Sequence, residues 1–364
     1  MRRFDKSGVF MIAVWAVFVS LLGSPSLMAE WKIESADGDT SIKFGFLMQG
    51  RGEIQDQIDG DGTSQDLYFR RLRILFGGNI SKKWSFFFET DSPNLGKGTP
   101  SGDKVAADIY IQDFFVTYNH SNAFKVDVGA ILIPLSHNSQ QSAATLLPAD
   151  YAAYSFLNSG PTDSRVGRDY GVQLRGFLAN DHFEYRAGVY QGERGESSEY
   201  EFRYVGRVVF YPFEADKGFY YAGTTLGKKQ ILALGAGIDH QESYDAYSLD
   251  MFWDQPVGNG NGFTLQLGGI RYDGGEIFPE LSIRDVLMAE AGFYWDRFKV
   301  QPFVTYYALD NDEEDLDDQS RLGVGLGYYL KGFNRNLKFS YTDIRTDNQP
   351  NRSQWLLQLQ IFMF

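Results

Sequence analysis

Arginines at alternating positions are the residues of this sequence with the clearest chemical meaning. Arg71 and Arg73 are separated by one apolar residue, and Arg203 and Arg207 are four positions apart. Because successive side chains of a β-strand point to opposite faces, each pair shares one face if its segment is a strand. A guanidinium group binds an oxyanion through two parallel N–H groups and keeps its charge at any physiological pH. The spacing therefore predicts a basic sheet face suited to small anions.

More basic than acidic residues fall on this predicted inner face, so a net basic interior is expected. The predicted anion pathway consists of nine residues on strands or on one long connection: Arg71, Arg73, Lys125, Arg165, Arg168, Arg175, Arg186, Arg203 and Arg207. Rings of such side chains along a pore favour anions. The alternative is that the arginines pair with inward acids such as Glu89 and fill the interior as structural ion pairs.

Other reactive groups form no convincing constellation. The chain contains no cysteine, which excludes disulfides and thiolate metal sites. Residues 136–139 read Ser-His-Asn-Ser, but neighbours in one loop seldom reach the geometry of a base beside its nucleophile. His120, His182 and His240 are far apart in the sequence and form no metal-ligand pattern. We therefore expect no catalytic residue, no metal site and no cofactor.

Sixteen segments show the period-two alternation of strands. They span 41–51, 66–79, 83–91, 108–119, 124–133, 169–179, 182–191, 201–211, 230–239, 244–253, 261–272, 285–295, 297–308, 319–331, 335–344 and 354–364. Connections after even-numbered segments are mostly short, and the others are mostly long and polar. The connection 211–229 is the exception, because it follows an even-numbered segment and is nevertheless long. An even number of strands with this arrangement predicts an all-β fold, a transmembrane antiparallel barrel.

Composition and the first residues agree with export to an outer membrane. Arg2, Arg3 and Lys6 precede an apolar run over 9–22 and a group of small residues, which predicts a signal peptide over 1–29. Residues 30–364 are then one barrel domain. Without the first 29 residues the net charge becomes −15 rather than −13, since they carry three basic residues and one acid. So acidic a chain is not expected to bind nucleic acid; its expected surroundings are outer-membrane lipid and lipopolysaccharide.

The connection Pro134–Arg168 is the longest and combines leucine and aromatic residues with serine, asparagine and glutamine. A loop this apolar is not expected to extend into water. We predict that it folds inward as the third loop and narrows the barrel; the alternative is that it packs on the outer surface of the molecule.

Five stretches of the sequence resemble one known family. They read FRRLRILFGGNISKKWSFFFETD (69–91), DIYIQDFFVTY (108–118), VDVGAILIPLS (126–136), DSRVGRDYGVQLRG (163–176) and YRAGVYQG (185–192). This pattern resembles the phosphate-selective porins O and P, most strongly over 40–210. The resemblance implies a 16-stranded barrel with an inward third loop, basic residues that guide anions, and a homotrimer. The residues that match the family's basic positions are Arg71, Arg73, Arg165, Arg168 and Arg175.

The sequence departs from that family at 130–133, where Ala-Ile-Leu-Ile replaces a polar or basic stretch. We therefore predict an outer-membrane porin for passive diffusion of small anions, with phosphate-like oxyanions, selenite and arsenate among the candidates. Two alternatives stay open: a non-selective general diffusion porin, and a barrel that sheathes a partner such as an electron-conduit cytochrome.

Overall fold

The computed structural model describes residues 31–57, 62–313 and 316–364, and the predicted signal peptide lies outside these ranges. Seventeen strands are present among the described residues. They are β1 (Trp31–Glu34), β2 (Ser41–Asp56), β3 (Thr63–Ser81), β4 (Trp84–Asp91), β5 (Tyr110–Ser121), β6 (Phe124–Leu132), β7 (Arg168–Leu178), β8 (Phe183–Tyr190), β9 (Arg203–Phe210), β10 (Ile231–Gln241), β11 (Tyr244–Pro256), β12 (Gly262–Asp273), β13 (Arg284–Tyr294), β14 (Val300–Asn311), β15 (Gln319–Phe333), β16 (Arg335–Thr346) and β17 (Arg352–Met363).

Strands β2–β17 form a closed antiparallel barrel of 16 strands, which confirms the predicted fold class. Each strand pairs with the next in the sequence, and β17 returns to pair with β2, with Met363 opposite Phe46. Closure leaves no unpaired strand edge, as a sheet surrounded by lipid requires. The short strand β1 was not predicted; it pairs with the start of β2, with Trp31 opposite Phe44.

The two faces of the barrel wall differ in the way a membrane requires. On β15, Leu322, Val324 and Leu326 are exposed on the outer face. Buried polar side chains such as Gln173 and Gln360 line the interior instead. No helix of the described residues is long and apolar enough to cross a membrane. The wall thus presents apolar side chains to lipid and keeps its polar and charged groups inside.

A β-bulge in β3 changes the predicted alternation. The pairing of β2 with β3 shifts between Gln49 and Gly50, which lie opposite Arg71 and Phe69, so Arg70 is the extra residue. Tyr68 consequently points inward, is buried, and donates a hydrogen bond of 2.8 Å to Glu53. Strict alternation over the predicted strand 66–79 would place Tyr68 on the outward face with Leu72, and this assignment is wrong because a bulge reverses the parity of all residues before it.

The connections differ at the two ends of the barrel as predicted. Turns such as 82–83 and 122–123 lie at one end, together with the 211–230 connection between β9 and β10. The strand order continues unbroken across this long connection, so its length reflects an inserted segment and not a missing strand pair.

Arginine introduced on the outer face should destabilise the barrel according to its depth. We expect Val324→Arg, in the middle of β15, to lower the free energy of unfolding by about 2–4 kcal/mol, and Ile80→Arg, at the end of β3, by about 0–1 kcal/mol. Urea unfolding of both variants in lipid vesicles measures the difference. Equal destabilisation would contradict a lipid-facing belt centred on Val324.

Candidate functional site: the barrel interior

The connection between β6 and β7 (133–167), here called the β6–β7 segment, contacts interior side chains around the barrel. Gln49 of β2 donates a hydrogen bond of 3.0 Å to the Ala143 carbonyl. Lys338 of β16 donates one of 2.5 Å to the Leu146 carbonyl. Gln141 of the segment donates one of 2.7 Å to Gln266 of β12. Residues 130–133, where the sequence departs from the family, form the end of β6 and the first residue of the segment, and all four are buried.

The β9–β10 connection (211–230), here called the β9–β10 segment, meets the β6–β7 segment from the opposite end. Tyr221 N–H donates to the Gln140 carbonyl, and Ser142 N–H donates to the Tyr221 carbonyl, both at 2.9 Å. The His137 ring is stacked between Tyr221 and Phe252, with ring centroids 4.8 and 4.3 Å away. Burial lowers the pKa of His137 to about 4, so the stacked ring is neutral at physiological pH. The sequence showed only the unusual length of this second segment.

Most of the predicted pathway arginines form ion pairs with interior carboxylates. The N–O distances are 2.7 Å for Arg71–Asp150, 2.6 Å for Arg73–Glu89, 3.3 Å for Arg168–Asp113, 2.6 Å for Arg175–Asp127, 2.7 Å for Arg186–Glu184, 2.5 Å for Arg203–Asp239 and 2.7 Å for Arg207–Asp250. The other two predicted residues lie elsewhere: Lys125 is half-buried at the start of β6, and exposed Arg165 covers the Tyr110 ring at 3.9 Å.

These pairs also fasten the two segments to the wall. Arg207 donates to the Leu135 carbonyl at 3.2 Å, and Arg203 donates to the Thr162 hydroxyl at 2.9 Å. Arg186 joins both segments, since it donates to the Gln140 amide oxygen at 2.7 Å and to the Phe219 carbonyl at 2.8 Å. A buried guanidinium needs such acceptors to offset the loss of water. On this side of the barrel, each arginine is paired with a carboxylate of the wall, and several of them also bind the two segments to the wall.

A different arrangement surrounds Asp150 of the β6–β7 segment. Three guanidinium groups share this single carboxylate, at N–O distances of 3.0 Å from Arg51, 2.9 Å from Arg70 and 2.7 Å from Arg71. Burial would raise the pKa of Asp150, but the three arginines hold it well below its usual range. The cluster therefore carries two positive charges beyond those that Asp150 neutralises.

Sequence reasoning left Arg70 out of the pathway because strict alternation places it on the lipid-facing side with Leu72. The bulge at this position instead lets Arg70 and Arg71 reach the same carboxylate. A signal was available: arginine on the lipid face costs about 2–4 kcal/mol near the bilayer centre. The run Phe-Arg-Arg-Leu-Arg therefore itself argues for a bulge.

A cavity of about 310 Å³ lies between residues 148–156 and the wall formed by β14–β17 and β2. Its polar and charged lining includes Arg51, Arg70, Asp150, Arg321, Thr305, Ser340, Thr342 and Gln354. Arg321 donates two hydrogen bonds, of 3.1 and 2.8 Å, to the neutral amide oxygen of Gln319 and lies 5.4 Å from the centre of the Tyr154 ring. Positive charge exceeds negative charge in this lining.

Buried polar atoms without protein partners occur on both sides of the interior among the described residues. They include Gln266 Nε2, Glu290 Oε2 and Gln358 Nε2 on β12, β13 and β17, and Asp113 Oδ2, Arg207 Nε and Tyr220 Oη beside the ion pairs. Buried groups of this kind are normally satisfied by water. The excess of positive charge therefore distinguishes the cavity side from the rest of the interior, and the unpartnered atoms do not.

The barrel and its arginine-rich interior agree with a match to the family model described as phosphate-selective porin O and P, over residues 46–229. The chain belongs to this family. No curated protein sequence matches this porin.

Solved outer-membrane barrels resemble this porin in fold. The anion-selective porin from Comamonas acidovorans has a TM-score of 0.63 at 10% identity, over 89% of this chain and 100% of that one. OmpF of Salmonella typhi, solved with daunomycin, has a TM-score of 0.60 at 12% identity, over 90% and 100%. OmpT of Vibrio cholerae, in its trimer form, has 0.55 at 10%, over 89% and 99%. The chain is thus a porin of the bacterial outer membrane.

The matched ion pairs of this porin should contribute far more to stability than exposed pairs. Asp239→Asn removes the nearer carboxylate of the buried Arg203 guanidinium and leaves Asp169 at 3.6 Å, so we expect a loss of about 3 kcal/mol. Asp285→Asn breaks the exposed pair with Arg271 and should cost about 1 kcal/mol or less. Urea midpoints of the refolded variants give both values. A small loss for Asp239→Asn would contradict the anchoring role.

Proposed function

We propose that this porin carries small anions across the outer membrane by passive diffusion, along the wall formed by β14–β17 and β2. The observation that carries the proposal is the excess of positive charge at the 310 Å³ cavity, where Arg51, Arg70 and Arg71 share one carboxylate. Fixed charges beside a low-dielectric wall attract ions of opposite sign. Phosphate-like oxyanions are within the range of solutes that such a surface attracts.

The proposed path differs from the one that the sequence predicted. Among the nine predicted residues, Arg71 contributes through the Asp150 cluster, and Lys125 and Arg165 stay predicted pathway residues. We propose a structural role for the six other arginines: Arg73, Arg168, Arg175, Arg186, Arg203 and Arg207. Each has a matched carboxylate and a side chain at most 10% exposed. A neutralised and covered guanidinium adds little to the field that a permeating ion meets.

The alternatives receive less support from the interior. A sheath for a protein partner needs an open lumen, whereas two segments contact interior residues of strands on several sides. We also propose a channel and not an enzyme: Ser136 Oγ bonds to Ser139 Oγ at 3.0 Å, while His137 Nε2 faces the Ala222 carbonyl at 3.2 Å. A homotrimer is the assembly that we propose by analogy with the family.

Reversal potentials in asymmetric potassium chloride test the proposal. We expect the wild-type porin to prefer chloride over potassium, and Arg51→Gln with Arg321→Gln to reduce that preference. The effect per charge should be modest, because a hydrated lumen screens charge strongly. Arg345→Gln is the matched control, since exposed Arg345 alternates with the inward residues of β16. Cation preference of the wild type would overturn the proposal in favour of a general diffusion porin or another function.

The β6–β7 segment should limit the current. Deleting 143–153 removes the carbonyl groups that Gln49 and Lys338 hold, together with Asp150. We expect higher single-channel conductance and weaker ion selectivity in a barrel that still assembles. Deletion of 99–103, which lies in the β4–β5 connection, should leave the conductance unchanged. Unchanged conductance in the first variant would show that the segment does not narrow the path.

A further inference from the structure

Asp150 is held in the way that a separate carboxylate ligand would be held. The Arg70 guanidinium makes a bidentate contact with it: Nε donates to Oδ2 at 2.9 Å and Nη2 donates to Oδ1 at 3.2 Å. Arg71 Nη2 adds a bond of 2.7 Å to Oδ1, and Arg51 Nη1 adds one of 3.0 Å to Oδ2. Each oxygen thus accepts two charge-assisted hydrogen bonds, the geometry by which arginines recognise a planar carboxylate.

This carboxylate belongs to the β6–β7 segment and not to the barrel wall, so the backbone positions of the arginines do not depend on it. They project from β2 and β3, two paired strands of the wall. The Asp150 side chain is 33% exposed and opens to the 310 Å³ cavity. A carboxylate arriving through the cavity therefore meets Arg51 and Arg70, which line it, and reaches Arg71 when Asp150 moves aside. The surplus of two positive charges attracts such an anion while Asp150 is still bound.

The rest of the cavity suits an organic molecule. Its apolar lining includes Pro148, Phe156, Val166, Phe303 and Leu356. Inorganic phosphate offers these side chains nothing to contact. A carboxylate with a small apolar body gains from both parts, since the charged end meets the arginines and the body leaves water for the apolar wall.

We propose that Arg51, Arg70 and Arg71 form a binding site for small organic carboxylates on the permeation path. The Asp150 carboxylate competes with the solute for the same three arginines. An entering carboxylate displaces the Asp150 side chain from the arginines, and Asp150 displaces it again as it leaves. The inference rests on the proposed anion path and names the class of solute that this path favours. An internal competitor keeps binding weak enough for release, which conduction requires.

Block of chloride current by benzoate tests the inference, with inorganic phosphate and the neutral benzyl alcohol as comparison probes. Benzoate should block at lower concentration than phosphate, and benzyl alcohol should not block. In Asp150→Asn the half-blocking benzoate concentration should fall about tenfold, because a competing charge-assisted contact is lost. Asp108→Asn, an exposed acid of the β4–β5 connection, is the matched control for net charge and should leave the block unchanged.

A second variant keeps the test decisive if Asp150→Asn fails to assemble, which heat-modifiability on gels reports. Arg70→Gln removes the bidentate fork and should weaken benzoate block, whereas Arg345→Gln should not. Stronger block by phosphate than by benzoate, or benzoate block unaffected by both Asp150→Asn and Arg70→Gln, would overturn the inference. If either of these results is obtained with a porin that still prefers chloride over potassium, the carboxylate site is rejected and the proposed anion path is not. Cation preference of the wild type would instead defeat the proposed function.

Discussion

An arginine inside this barrel can be buried only beside groups that replace its lost water, and this requirement organises the interior. Removing one partner of a buried pair typically costs about 3–5 kcal/mol. The arginines of β7, β8 and β9 each meet it with at least one carboxylate. Further hydrogen bonds to the β6–β7 or β9–β10 segment come from Arg168, Arg186, Arg203 and Arg207. The arginines that first suggest an anion path thus hold the β6–β7 and β9–β10 segments in place.

The interior is consequently asymmetric. Matched pairs hold both segments against the strands from β5 to β11, where little charge remains free to act on an ion. Opposite them, three arginines share Asp150, and Arg321 has a neutral acceptor in Gln319. The hydroxyl groups of Thr305, Ser340 and Thr342 line the cavity on the same side. Charge, polarity and free volume therefore coincide along one wall, and this coincidence places the path that we propose.

The sequence predicted the sixteen barrel strands well, because each carries a period of two that lipid outside and polar groups inside impose. It could not predict which acid each arginine would meet, since Asp127 on β6 reaches Arg175 on the neighbouring strand β7 only in the register that the fold adopts. Asp150 lies in an irregular segment with no period to place it. Arg70 was missed because alternation fails at a bulge, although the cost of arginine in lipid could have revealed it.

The central claim is that anions pass along the β14–β17 and β2 wall. The chain has no cysteine, so a single introduced thiol reports access without background. Thr342 lines the cavity, whereas Thr117 is buried against Asp127 on the paired side. Chloride current should fall irreversibly when an anionic methanethiosulfonate reagent is added to Thr342→Cys, and should not change for Thr117→Cys. Loss of current in Thr117→Cys with none in Thr342→Cys would contradict the account.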